Sequence, residues 1–460
     1  MKGFVPTPQP IVDLMVEKLF HRRPPAADST ILDPGCGRGA FIDGVLRWCA
    51  LHKQAAPSIV GVESDPAHAA YSRNRFSDQA SVTIAEKDFL LSTAGSFDYV
   101  IGNPPYVSLM SLSDGERAHY RRGYETASGR FDLYLLFFEQ ALRVLKPNGR
   151  LVFITPEKYL YVETASPLRK LLTHHMIEEL HFLDEETFVG LVTYPLVTTV
   201  TGARAARATR VVERGGTRRA IHQPTSHTSW MPLVRGAAAP SATLRLEDVA
   251  VRVSCGVATG ADSVFVVRTA ALRPALASFA HPTIAGREIT SRVLPPPSWS
   301  LLAPYDIDGR LLPEGRLGEL GDHLADPKRK ELLMGRYCVA AKPWYSFHET
   351  PPLRDILRPK ILCKDIGARP LFVVDRAGSI VPRHSVYYVV PARPDRIDEL
   401  AEYLNSDAAA TWLRDHCQRA ANGFLRLQSH VLKKLPLPAS FETLSPQLNL
   451  GFTGPGRRSA

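Results

Sequence analysis

Between Ser29 and Ile154 short apolar runs alternate with segments of helical period, and this alternation restricts the fold more than any other feature of the chain. Ser29–Leu32, Ser58–Glu63, Val82–Ala85, Tyr99–Ile101 and Arg150–Ile154 read as strands. Ala40–His52, Pro66–Phe76 and Asp132–Leu145 fall between them and read as helices, the last stopped by Lys146-Pro147-Asn148-Gly149. A strand–helix repeat of this kind closes as a mostly parallel sheet with helices over its faces. After a further helix at Ser166–His175, the runs Ile177–Leu183 and Leu196–Thr201 read as late strands, expected as an antiparallel hairpin at the sheet's edge.

The pattern then changes. Arg204–Arg219 is basic and reads as strand or loop, and Arg235–Pro240 reads as a linker. From Leu244 short β-like runs (Ser263–Val267, Lys360–Cys363, Leu371–Val374, Ser385–Val390) mix with helices at Arg396–Leu404 and Ala408–Ala420, the mark of an α+β domain. A chain of 460 residues is too long for one ordinary domain. The expected division is an α/β domain over 1–235, an α+β domain over 241–440 and a disordered tail over 446–460, which is polar and rich in Gly, Pro and Arg. No apolar run approaches the ~20 residues of a membrane span, and Met1–Pro6 lacks a signal peptide's apolar core, so a cytoplasmic protein is expected. Six scattered cysteines with no CxxC pair indicate neither a zinc site nor a disulfide framework. The net charge of +10 fits a polyanionic partner.

Open α/β sheets bind ligands outside the carboxyl ends of their strands, and the chemistry-bearing residues fall at those ends. Asp33-Pro34-Gly35-Cys36-Gly37-Arg38-Gly39 follows the first strand and opens a helix. Its glycines permit a sharp turn and a close ligand approach. No Lys-Ser/Thr follows, which argues against a phosphate-cradling loop, and the leading acid suits a cationic ligand. Glu63 ends the second strand, where a carboxylate can accept both hydroxyls of a ribose. Asp88-Phe89 follows the third, where an acid can accept from an adenine amino group with the aromatic beside the ring. Together they describe a slot for an adenosine bearing a positive group, as S-adenosylmethionine (SAM) requires. Asn103-Pro104-Pro105-Tyr106 ends the fourth strand, Phe97–Gly102. Two prolines remove two N–H donors. An amide oxygen, exposed carbonyls and an aromatic face remain, a holder for a planar group bearing an NH2.

These motifs, in this order and spacing, resemble the gamma-type N6-adenine DNA methyltransferases of type II restriction–modification systems. The resemblance covers roughly residues 1–200. It includes Phe4-Val5-Pro6-Thr7-Pro8 with Ile11 and Met15, Phe131-Asp132-Leu133-Tyr134 through Phe137, and the Lys146-Pro147-Asn148-Gly149-Arg150 strand entry. It implies a Rossmann-like, SAM-dependent catalytic domain. Thr7 and adjoining backbone would hold the methionine end of SAM, with Asp33 near its amino group and Gly35 and Gly37 in the cofactor loop. Glu63 would hold the ribose, and Asp88, Phe89 and Phe137 would frame the adenine. Asn103, Pro104 and Tyr106 would hold the target base. Phe188, or its competitor Tyr194, would cover the base's other face. Thr7-Pro8 ahead of the glycine loop is the gamma arrangement, and no nuclease domain is expected in front of it.

More loosely, residues 240–440 resemble the target-recognition domains of such enzymes, through Gly256–Phe265, Ile284–Ile289, Arg358–Leu362 and Leu432–Pro438. Reading a sequence requires side chains in the major groove. Arg287, Arg292, Lys328, Arg329, Lys330, Lys364, Arg369 and Arg383 are candidates for phosphate or base contact. Double-stranded DNA is the implied partner, no metal is needed, and a separate cognate restriction endonuclease is the expected counterpart. Release-factor glutamine methyltransferases and some RNA guanine methyltransferases share Asn-Pro-Pro-Tyr. The former usually carry a small helical domain before the glycine loop, whereas here that loop starts near residue 33 and a long domain comes after it. Cytosine-N4 enzymes more often have Ser in place of Asn103. A non-catalytic DNA-binding subunit that keeps the fold is a further alternative.

Overall fold

The structure, a computed structural model, describes residues 5–21, 23–91, 95–188, 190, 193–202, 208–236, 244–420 and 423–444. The tail at 446–460, linker residues 237–240 and Phe4 lie outside the described residues. The chain forms two compact units, Met1–Ala238 and Ala239–Ala460.

In the first unit β1 (Thr30–Pro34), β2 (Ser58–Glu63), β3 (Val82–Glu86), β4 (Phe97–Gly102) and β5 (Leu145–Pro156) pair in parallel. With β6 (Met176–Phe182), β7 (Pro195–Thr201), β8 (Thr209–Val212) and β9 (Arg218–Ile221) they make a nine-stranded sheet ordered β3-β2-β1-β4-β5-β7-β6-β8-β9. Alternate residues of each strand go to opposite cores, as the pleat dictates. Ile31, Tyr99, Ile101, Val152 and Ile154 join the core that holds α1 (Gln9–Phe20) and α2 (Ala40–Leu51). Leu32, Val100, Leu151 and Phe153 join the core that holds α5 (Leu133–Val144) and α6 (Ser166–Leu172). Burial on both faces explains why these strands read as continuous apolar runs. The remaining helices among the described residues are α3 (Pro66–Arg75), started by the Asp65 side chain accepting from His68 N–H at 3.0 Å, α4 (Asp114–Gly123) and α7 (Met231–Arg235).

Two expectations are corrected. The β6–β7 pair is antiparallel but is not the sheet's edge, because β8 pairs in parallel with β6 and β9 with β8. Val211, Val212 and Ile221 are buried, which gives this basic stretch an inward apolar face. β5 also starts earlier than expected, at Leu145. Lys146–Gly149 bulges from it, since Phe97 pairs with Leu145 and Tyr99 with Arg150, and the Lys146 ammonium meets the Asp98 carboxylate at 2.8 Å.

α1 fixes where the N-terminal arm lies, because it begins directly after Thr7-Pro8. Its buried stripe is Val12, Met15, Val16, Leu19 and Phe20. It lies close against α2, where a Cβ on Gly44 would stand only 2.5 Å from Val12 Cγ1. Its last carbonyls are capped by the buried Arg150 guanidinium, which also pairs with Glu178 at 3.0 Å. Lys18 pairs with Glu179, which Arg210 also approaches.

The described residues of the second unit form three smaller sheets. In the first, β10 (Ala250–Cys255), β14 (Lys360–Lys364), β16 (Phe372–Asp375) and β18 (Val386–Pro391) are antiparallel in the order β10-β18-β14-β16. β11 (Val266–Arg268), β12 (Ala280–Ile284), β13 (Trp299–Leu302) and β17 (Val381–Pro382) form the second, and β15 (Ile366–Gly367), β19 (Gln418–Arg419) and β20 (Leu425–Arg426) the third. Ser263–Val267 is not a strand throughout. Asp262–Phe265 is a helical turn that buries Val264 and Phe265, and β11 starts only at Val266. Where β14 begins beside the end of β16, the fully buried Lys360 ammonium lies 2.6 Å from Asp375 Oδ2. Asp375 also accepts from the N–H groups of Gly378 and Ile380, both at 3.0 Å. Removing one partner strands a buried charge. Asp375→Ala is therefore expected to destabilise this unit by about 3–5 kcal/mol, read from urea unfolding followed by circular dichroism.

Candidate functional site

From β1 the strand order runs one way through β2 to β3 and the other way through β4 to β5. Such a reversal opens a crevice at the carboxyl ends of the two central strands. Ile31 pairs with Tyr99 and Leu32 with Val100, so the loops after β1 and β4 leave the sheet side by side. A Cβ on Gly102 would lie 3.4 Å from Asp33 Oδ1. The crevice is a cavity of about 560 Å³ whose walls include Thr7, Gly35, Glu63, Asp88, Asn103 and Phe137.

The acids around it are held differently. Glu63 is buried, and each carboxylate oxygen accepts one backbone N–H, from Gly37 and from Asp65, both at 2.8 Å. Lone pairs remain for a ligand hydroxyl. Gly35, Gly37 and Gly39 have φ of +83°, +54° and +80°, which allows the loop to turn back towards Glu63. Asp33 is buried with neither carboxylate oxygen hydrogen-bonded. Burial, and then the nearby Glu63 charge, push its carboxyl well above the ordinary range. An unpaired buried carboxylate is costly, and a cation would complete it. Asp88 accepts from Leu90 N–H at 2.8 Å and from the Tyr120 hydroxyl at 3.2 Å.

Asn103 lies at the end of β4. Its Nδ2 donates to the Val5 carbonyl at 3.1 Å and to Thr7 Oγ1 at 3.2 Å, while Oδ1 is buried without a partner. Pro105 lines the cavity and Pro104 is buried beside it. The Tyr106 ring stands edge-on to both Tyr134 and Phe188, with centroids 6.5 Å apart in each case. Burial pushes its hydroxyl up, so it stays neutral.

Thr7, Gly35, Glu63, Asp88, Asn103 and Phe137 thus meet at one cavity. The other expected residues stand behind this wall or beside it. Phe89 is buried behind Phe137, at 5.4 Å between ring centroids, and Leu90 reaches the cavity instead. Phe188 is buried in the α1–α2 core, only 3% exposed. Tyr194 lies under the Arg214 guanidinium at 5.0 Å. The sequence reading missed the wall beyond Tyr106, made of Val107, Ser111, Leu112, Glu116 and Tyr120. A signal for it existed. Ser113 and Glu116 form a capping box, and that Ser-x-x-Glu spacing marks the start of α4. Among the basic residues of the second unit, Arg383 is buried and paired with Glu288 at 2.6 Å, so it is withdrawn as a DNA contact. Arg369 pairs with Asp407 at 2.8 Å, and Arg287 is exposed. Among the described residues no cluster of His, Cys, Asp and Glu is arranged to hold a metal, and no helix is long and apolar enough to cross a membrane.

The strand order and the carboxyl-end cavity define the Rossmann-like fold of class I SAM-dependent methyltransferases, joined here to a specificity domain. Residues 58–188 match the Eco57I restriction-modification methylase family, and residues 309–437 match the TaqI-like C-terminal specificity domain. The chain is similar to the type II methyltransferase M.PaeR7I of Pseudomonas aeruginosa, at 26% identity over 95% of this chain and 86% of that protein. It is also similar to M.XhoI of Xanthomonas vasicola, at 25% identity over 77% of this chain and 71% of that protein. M.TthHB8I of Thermus thermophilus is 31% identical over 40% of this chain and 41% of its own length. Among solved structures, the type IIG restriction endonuclease BpuSI aligns over 98% of this chain and 61% of its own, at 14% identity and a TM-score of 0.46. The family matches and the relatives make the chain similar to the methyltransferases of type II restriction–modification systems.

The unpaired Asp33 makes a stability prediction. Its folded pKa is raised above the unfolded value, so its ionisation opposes folding as pH rises through the folded pKa. Asp33→Asn is expected to raise the ligand-free Tm at neutral and alkaline pH and to reduce its fall with rising pH. Differential scanning calorimetry from pH 5 to 9 reads both.

Proposed function

We propose that the chain is a site-specific DNA adenine N6-methyltransferase that uses SAM and protects host DNA from a cognate restriction endonuclease. The observation that carries this reading is Asn103. Its amide nitrogen is committed to Val5 and Thr7, and its oxygen is buried and unpaired, so the group it can serve is a hydrogen-bond donor such as an aryl amine.

The site residues fit SAM. Asp33 supplies an unpaired carboxylate suited to the ammonium of the methionine end. Glu63 has acceptor capacity for the ribose hydroxyls, and Asp88 and Phe137 border the space for the adenine. When bound, SAM would supply an electrophilic methyl group: its carbon–sulfur bond would break as the amine nitrogen bonds the methyl carbon, and the nitrogen would release one proton to water.

The remaining work falls to the chain. A base inside a duplex hides its amino group, so the target adenine is flipped out of the stack. The exocyclic nitrogen is a weak nucleophile because its lone pair is delocalised into the ring. Hydrogen bonds from its two protons to Asn103 Oδ1 and to the Pro104 carbonyl shift that lone pair back onto nitrogen. Tyr106 stacks on one face of the base. The gain is mainly one of orientation. The second unit reads the flanking bases, consistent with its TaqI-like specificity segment. The enzyme acts in the cytoplasm.

Asn103→Ala is expected to lower kcat by at least about 100-fold, the scale of a group that acts on the reacting atom, while SAM affinity by calorimetry stays within about threefold (~0.65 kcal/mol). The product test is nucleoside analysis of duplex DNA incubated with SAM and the purified chain. N6-methyldeoxyadenosine is expected. N4-methyldeoxycytidine, or methyl transfer to a protein glutamine or to RNA with none to DNA, would overturn the reading.

A further inference from the structure

A primary amide carries an acceptor and a donor of nearly the same shape, and a half-turn about the Cβ–Cγ bond exchanges them. For Asn103 that exchange decides whether an incoming amine meets an oxygen that attracts it or an NH2 that repels it. Nothing within β4 makes the choice. It is made by a segment almost a hundred residues earlier in the chain. The Val5 carbonyl has no proton to give, so it admits only the nitrogen end, at 3.1 Å. Thr7 Oγ1 lies 3.2 Å from the same nitrogen. Both amide protons are thereby used, and Oδ1 is left facing the other way, buried and unpaired.

The arm that carries these acceptors is anchored at both ends of α1. The Pro8 carbonyl accepts from the N–H groups of Ile11 and Val12 at 3.0 and 3.1 Å, which ties the arm to the helix start. Arg150 caps the far end, and Lys18 pairs with Glu179. A hydroxyl that accepts through a lone pair keeps its proton, so Thr7 can still donate to the carboxylate of a methyl donor.

We propose that Thr7 is a positioning residue whose hydroxyl oxygen, together with the Val5 carbonyl, locks the Asn103 amide with its oxygen towards the substrate amine. This deepens the proposed role of Asn103 and rests on it. It separates two roles for Thr7, because holding the methyl donor affects its binding, whereas orienting Asn103 affects transfer after everything is bound.

Thr7→Val keeps the side chain's shape and removes the hydroxyl, and Thr7→Ser keeps the hydroxyl and drops the methyl. Single-turnover methyl transfer is measured at saturating SAM and duplex DNA, SAM affinity separately by calorimetry, and Tm by calorimetric scanning. The expected result is that Thr7→Val slows transfer about 10-fold (~1.4 kcal/mol) at unchanged Tm, while Thr7→Ser transfers within about twofold of the parent (~0.4 kcal/mol). The proposal is overturned if Thr7→Val transfers at the parent rate once saturated, its defect confined to SAM affinity. It is equally overturned if Thr7→Ser is as slow as Thr7→Val. Should Thr7→Val fold poorly, Thr7→Ala against Thr7→Ser gives the same comparison. Failure of the underlying reading looks different, because the parent chain itself would then leave adenine in DNA unmethylated.

Discussion

The parallel pairing of β1 with β4 is the constraint on which the rest of the site depends. Two residue pairs, Ile31 with Tyr99 and Leu32 with Val100, bring together loops that lie some seventy residues apart in the chain. One loop carries the acid and the glycines, the other the Asn-Pro-Pro-Tyr tetrad. Every other contributor joins this seam. β2 and β3 extend the sheet so that Glu63 and Asp88 border the same cavity, and α1 lays the N-terminal arm across the end of β4.

The seam holds two polar groups that the fold leaves unsatisfied, the Asp33 carboxylate and the Asn103 amide oxygen. Each costs about 1–3 kcal/mol as a buried unpaired group, and a carboxylate more. The two apolar cores on either side of the sheet offset this, since Leu32, Val100, Leu151 and Phe153 on one face and Ile31, Tyr99, Val152 and Ile154 on the other are essentially removed from water. Rigid strands thus hold in place groups that would otherwise move to find partners. Preorganised polar groups of this kind are what a site needs if it is to bind a cation at one point and an amine at another.

Much of this is legible in the sequence, for a physical reason. β2 reads at its observed bounds, Ser58–Glu63, because a doubly covered parallel strand is an uninterrupted apolar run closed by a polar residue. Asp33, Glu63 and Asn103 can be read for the same reason, since each closes or directly follows such a run, whereas β3 ahead of Asp88 is only partly buried. The illegible parts depend on tertiary pairing. The Lys146–Gly149 bulge depends on Asp98 of the neighbouring strand, and β8 and β9 owe their place beyond β6 to a few inward valines in a basic stretch. The α4 wall escapes the sequence reading although its capping box is present, because α4 is polar throughout and Tyr120 is the side chain it buries. The placement of Phe89 behind Phe137, and of Phe188 within a core, is likewise set by packing.

The central claim is that the amide oxygen left unpaired at the end of β4 serves an adenine amino group in DNA. It is tested most directly by modification-sensitive single-molecule sequencing of genomic DNA from a methylation-deficient host expressing the chain. The account predicts N6-methyladenine at one position of one short sequence motif, in nearly all its copies, and absent from a host expressing Asn103→Ala. Genomic DNA with no adenine mark, or with a mark on cytosine, would contradict it.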